Sequence, residues 1–125
     1  MMDIDGIKKV IEAYFDAGYA SSGAGMAEVF HDCAHLYMRD KDGSLIDWDK
    51  NFFVNLVNGE SQGKDGPDYP RYNEILAIDF VDENTAVARV KVRVAETLYT
   101  DILCFLRLGG KWQIISKVFS GVPAQ

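Results

Sequence analysis

Three places in the sequence hold residue types that could do chemistry. The first is Asp101, the lone acid in "TDILCFLRLGGKW" (residues 100–112), a stretch otherwise rich in apolar side chains. A carboxylate against apolar walls loses hydration, so its pKa rises and it can hold or pass a proton. The plainer reading is an ion pair at the start of a strand, with Arg89, Lys91 or Arg93 of the neighbouring strand as partner. The second place is "HDCAH", which puts His31, Asp32, Cys33 and His35 within five residues. These are metal-ligand types, and on a helix His31 and His35 would share a face as a zinc site requires. Here the segment passes from helix to strand, that geometry is lost, and no metal site is expected. The third is the ridge Arg89, Lys91 and Arg93. It carries no interleaved aromatic residues, which single-strand nucleic-acid platforms need for base stacking. It reads as a solvated or ion-paired sheet face. "LGGKW" is a hairpin and not a phosphate loop, because the earlier glycine and the following helix of a P-loop are missing.

The whole chain narrows these options. Its 125 residues make one domain, 1–125, large enough to bury a core. Apolar residues are 48% and charged residues 26% of the total, an ordinary globular mixture. The net charge of −6 repels phosphate backbones, so nucleic acid is not an expected partner. Cys33 and Cys104 read as small buried hydrophobes, and one possible pair does not make a disulfide framework. No apolar run approaches the roughly 18 residues of a membrane span. The start, "MMDIDGIKKVIEAYF", lacks the pattern of a signal peptide. The expectation is a cytoplasmic protein with no membrane contact and no cofactor.

The elements follow from periodicity. Ile4, Ile7, Ile11, Tyr14, Phe15 and Gly18 recur at helical steps, with Asp3 or Asp5 as cap. Ser21 to Gly23 break that helix. A second short helix carries Met26, Val29, Phe30 and Cys33 as its apolar stripe. "AHLYMRD" alternates and reads as a strand, "KDG" as a turn. Asp47 or Asp49 caps a third helix, "KNFFVNLVNG", with Phe52, Phe53, Leu56 and Val57 inward and Gly59 as a left-handed stop. Glu60 to Arg71 reads as a long polar crossing. Strands follow: "NEILAIDFV", "TAVARVKVRV", "LYTDILCFLRL" and "KWQIISKVFS", the last two joined by Gly109–Gly110.

Helices first and an antiparallel meander last predict an α+β domain. Helices cover only one face of such a sheet. In "YTDILCFLRL" one face holds Ile102, Cys104, Leu106 and Leu108, and the other holds Tyr99, Asp101, Leu103 and Phe105. Both are apolar. A twofold partner seated on the outer sheet face is the simplest cover, so a homodimer is expected.

"VIEAYFDAGYASSGAGMAEVFHDCAHLYMRD" and "YTDILCFLRLGGKWQIISKVFS" carry a family likeness. The chain resembles the nuclear transport factor 2-like superfamily, which includes SnoaL-like polyketide cyclases and ketosteroid isomerase. The second stretch is most similar to the branch labelled "putative lumazine-binding". The resemblance implies a cone-shaped, cystatin-like fold, with three helices over the concave face of a curved sheet and a pocket at the open end. It implies Tyr14, Phe15, Phe30, His31, Tyr37, Phe53 and Asp101 as pocket candidates. Tyr14 falls where ketosteroid isomerase carries its oxyanion-stabilising tyrosine. Counting puts that enzyme's base at Met38 and its second donor at Cys104, neither of which can serve. The resemblance therefore implies a dimeric module that binds a small apolar or aromatic molecule. The alternative is a cyclase or isomerase using His31 or Asp101 as acid/base, and a third option is a structural dimer with a filled cone.

Overall fold

The computed structural model describes residues 2–60 and 67–125. The expected polar crossing falls partly on residues 61–66, outside the described residues. Helix α1 spans Ile4–Tyr19, with the Asp3 carboxylate accepting the Gly6 N–H at 3.0 Å. Asp3 also accepts from the Trp112 indole at 3.1 Å, which ties the start of α1 to the last strand. The inward face of α1 buries Ile7, Ile11, Tyr14 and Phe15, the spacing expected of an amphipathic helix.

Helix α2 (Gly23–Val29) is capped by Ser22 and packs against α1 so closely that a Cβ on Gly25 would lie 2.8 Å from the Ala17 Cβ. It is shorter than its apolar stripe suggests. The chain turns to extended backbone at Phe30, and strand β1 runs Phe30–Arg39. Phe30 is buried as the first strand residue, whereas Cys33 is exposed on the strand and not a buried hydrophobe. Strand β2 (Leu45–Asp49) was not legible in the sequence. It is a short edge strand, reached through a turn in which the Asp40 carboxylate accepts the N–H groups of Asp42 and Ser44. Helix α3 (Lys50–Glu60) starts on Asp49, whose carboxylate accepts the Phe52 N–H at 2.8 Å. Phe53 and Val57 are buried, Leu56 is 38% exposed at the edge of the inward face, and Phe52, one position round the helix from Phe53, is 51% exposed. Gly59 stays helical and is not a left-handed stop.

Strands β3 (Asn73–Asp82), β4 (Thr85–Val94), β5 (Thr97–Leu108) and β6 (Lys111–Pro123) complete a curved six-stranded sheet in the order β2-β1-β6-β5-β4-β3. Only the β1–β6 pair is parallel; the others are antiparallel. Gly109 and Gly110 have φ of 56° and 78°, as the tight β5–β6 hairpin requires. Register shifts interrupt β1–β6, β3–β4 and β5–β6. Such bulges add twist and bend the sheet round the helices. The core lies between α1 and the inner face, where Leu36, Ala88, Val90, Leu103, Phe105 and Ile114 are all buried.

The expected α+β cone with helices on one face is what the chain forms. Its outer face carries Ile102, Cys104, Leu106 and the half-exposed Val118, beside Arg89, Lys91 and Arg93. Among the described residues no helix is long and apolar enough to cross a membrane.

Candidate functional site

The inward parity of β5 places Asp101 between Tyr99 and Leu103, facing the helices. Its cross-strand neighbours are Val90 on β4 and Phe119 on β6. Arg89 and Lys91 flank Val90 and therefore project from the opposite face, which is why the rim ion pair does not form. Asp101 is fully buried. It is paired nonetheless, with a cation from β6. Lys117 lies opposite Leu103, diagonal to Asp101 and on the same face.

Tyr14 closes the group from above. One turn beyond Ile11 on the buried stripe of α1, it donates its phenolic hydrogen to Asp101 Oδ2 at 2.6 Å. Lys117 Nζ donates to the Tyr14 oxygen at 2.8 Å. The direct distance from Lys117 Nζ to Asp101 Oδ2 is 3.8 Å, so the phenol mediates between cation and anion. Among the described residues, Asp101 Oδ1 has no hydrogen-bond partner. A lysine, a phenol and a carboxylate thus form one chain of hydrogen bonds. Polar groups are rare in such surroundings unless satisfied by one another.

Aromatic rings box the ammonium end. Lys117 Nζ is 4.3 Å from the ring centroid of Phe119, 5.1 Å from Phe53 and 5.2 Å from Tyr14. Lys117 and Tyr14 form the polar end of a cavity of about 100 Å³. Trp48, Phe53, Val57, Val92, Tyr99 and Phe119 supply its apolar walls. A dry cavity of about 150 Å³ takes a benzene ring, so this smaller chamber suits a short chain or part of a ring, with the rest reaching out through the mouth.

Burial and charge shape the protonation of these groups. Burial, then the Asp101 charge and hydrogen bond, push the Tyr14 hydroxyl well above its ordinary range, so it stays a donor. Burial lowers the Lys117 ammonium from its ordinary value, and the Asp101 carboxylate only partly opposes this.

The candidates from the sequence separate in space. Tyr14 and Phe53 line the chamber, and Asp101 stands behind Tyr14, fully buried and outside the lining. Phe15 and Phe30 are buried beside Tyr14, at ring-centroid distances of 6.0 and 5.9 Å, and stand behind its wall. His31 is on β1, where its ring Nδ1 accepts the Cys33 N–H at 3.0 Å, and it does not line the chamber. Tyr37 pairs with Val118 on the outer face and stacks on His35 at 6.0 Å. His35 in turn contacts Asp47 at 2.6 Å on the exposed β1–β2 edge. No group of three or more potential His, Cys, Asp or Glu metal ligands occurs among the described residues. Cys104 faces outward, so it is Asp101 and not residue 104 that meets Tyr14.

Lys117 was missed by sequence reasoning. Strict alternation from Trp112 and Ile114 would put Ser116 and Val118 inward. A register shift between Ile114 and Ser116 reverses that parity and turns Lys117 and Phe119 in. The only signal was a buried-type neighbour, Phe119, two positions on.

Known proteins share this architecture. A family model described as "Putative lumazine-binding" matches residues 2–120. The chain is 27% identical to the aldolase FrzH of Cladobotryum sp, across 97% of this chain and 93% of that protein. Among solved structures, an NTF2-like protein of unknown function from Methylobacillus flagellatus KT is 30% identical. Its TM-score is 0.82, with 96% of this chain and 92% of that one covered. A second, from Shewanella baltica OS155, is 22% identical with a TM-score of 0.84, covering 96% and 94%, and is a likeness of fold alone.

Proposed function

This chain belongs to the family described as "Putative lumazine-binding", within the nuclear transport factor 2-like superfamily, and we propose that its cone holds a small, partly aromatic carbonyl compound and moves protons on it. The observation that carries this reading is the Lys117–Tyr14–Asp101 chain at the end of an otherwise apolar chamber. Apolar walls with a few convergent polar groups are the usual make-up of a small-molecule site. An ammonium has three donors. Lys117 gives one to Tyr14, and a ligand oxygen at its end of the chamber takes another. A carbonyl so held becomes more acidic at its neighbouring carbon, because the enolate oxygen is stabilised by a donor in a dry site. Asp101 receives the proton through the Tyr14 hydroxyl. The relative named an aldolase supports the same class, since aldol chemistry begins with proton loss next to a carbonyl.

The test uses acetophenone and cyclohexanone as probes. The protein melts at a higher temperature with at least one of them, and NMR in D₂O shows deuterium entering the carbon next to the carbonyl. Asp101→Asn keeps the thermal shift and loses about 10²–10⁴-fold in exchange rate. Equal exchange by the variant and the parent would remove Asp101 from the chemistry. Binding without exchange would leave a simple carrier of small apolar molecules, the second reading, which the largely apolar lining favours.

The proposed protein is a homodimer through the outer sheet face. Val118 there is 51% exposed and lies beside Ile102, Cys104 and Leu106. Sedimentation gives a mass twice the 14.0 kDa of the chain, and Val118→Asp shifts it to the single-chain value. A parent protein that sediments at 14.0 kDa excludes the dimer.

A further inference from the structure

We propose that Lys117 acts as a nucleophile, its Nζ forming an imine with the carbonyl carbon of the bound molecule. This deepens the carbonyl-binding reading above and rests on it. Four observations carry it. The amine lines the chamber, so a ligand reaches it. Its side chain is 7% exposed, so water, which would hydrolyse an imine, is largely kept out. It is hydrogen-bonded to a neutral hydroxyl, and the nearer carboxylate oxygen, 3.8 Å away, acts on it by charge alone and accepts no hydrogen bond from it. It is also a lysine and not an arginine, the cation that can shed its proton when desolvated and then attack a carbonyl. Burial depresses its proton affinity in the direction this needs.

The step balances without a cofactor. The unprotonated Nζ adds to the carbonyl carbon, a C–N bond forms, and the C=O π pair moves to oxygen. One Nζ proton passes to the Tyr14 oxygen as the Tyr14 proton passes to Asp101 Oδ2, and the same route run backward delivers it to the alkoxide, giving the carbinolamine hydroxyl. The second Nζ proton then follows the same path to that hydroxyl, which leaves as water while the nitrogen lone pair closes the C=N bond. The product is one imine and one water, with no change of oxidation state. Protonated, that imine withdraws electrons from the neighbouring carbon more strongly than a carbonyl does. Asp101, reached through Tyr14, is the group placed to take the proton released there.

The experiment is reductive trapping. The full-length protein is incubated with acetophenone or cyclohexanone and sodium cyanoborohydride, then digested and mapped by mass spectrometry. Lys117 gains the mass of the ketone less its oxygen, at least tenfold faster than exposed lysines such as Lys41 and Lys111. The groups facing Lys117 are Tyr14 on α1 and Asp101 on β5, with Tyr99 next to Tyr14. Because the free amine is the reactive form and the Lys117 ammonium is depressed below 10.5, its trapping levels off at lower pH than that of surface lysines. Tyr14→Phe keeps the lysine but breaks the proton route, and slows trapping at least tenfold at equal ketone binding. Labelling of Lys117 at the rate of surface lysines, or no labelling while the ketone still raises the melting temperature, overturns the imine and leaves the binding reading standing. No thermal shift with either ketone removes both.

Discussion

Replacing Lys117 by methionine lowers stability by about 3–5 kcal/mol, and adding Asp101→Asn to that variant returns most of the loss. The expectation follows from burial. The Lys117 and Asp101 side chains are 7% and 0% exposed, and each offsets the cost of the other's desolvation. Removing the lysine leaves a carboxylate in an apolar core with no cation beside it, and Tyr14 is its one hydrogen-bond partner among the described residues. Removing both charges leaves a chamber with no ion to solvate, and the asparagine oxygen still accepts from Tyr14. Asp101→Asn alone costs less than Lys117→Met, because the stranded lysine, already depressed by burial, escapes by losing its proton. Urea unfolding of the four proteins at pH 7 gives the coupling energy directly. If the double variant is as unstable as the two single losses added together, the residues do not act as a pair.

Phe30→Ala costs about 3–5 kcal/mol and enlarges the chamber. Phe30 is fully buried where α2 ends and β1 begins. Its ring stands edge-on to Tyr14 at 5.9 Å and to Phe53 at 5.4 Å. Both of those rings line the chamber while Phe30 is behind them, so the space opened by the substitution adjoins the existing cavity. A ring-sized apolar ligand should fill it. Saturating benzene then raises the urea midpoint of Phe30→Ala by more than it raises that of the parent, through binding to the folded state alone. An equal rise in both proteins would mean that the core collapses round the missing ring.

Periodicity revealed the parts of this fold that repeat. The α1 stripe, the clean alternation of β4 and the Gly109–Gly110 hairpin were legible because each obeys a single period or a single turn rule. The α2–β1 junction was not, since no glycine or proline separates Val29 from Phe30 and both residues suit either state. Strand β2 was hidden because a five-residue edge strand makes little pattern of its own and borrows its conformation from β1. At the site, Asp101 could be assigned to the face shared with Leu103 and Phe105, and Tyr14 to the face shared with Ile7 and Ile11. Their meeting depended on how the helix crosses the sheet, which no local pattern states. His31 drew notice as a residue type, yet its ring is engaged by the N–H of its own strand.

The register shift in β6 has a consequence for reading the relatives of this chain. Strand pairing advances by one residue too many between Ile114 and Ser116, and every side chain beyond that point changes sides. In a related chain that lacks the extra residue, a lysine in the same column of an alignment would project from the outer face of the sheet instead of into the chamber. Spacing from the indole to the amine, five positions here, is therefore a better mark of shared chemistry than the presence of lysine itself.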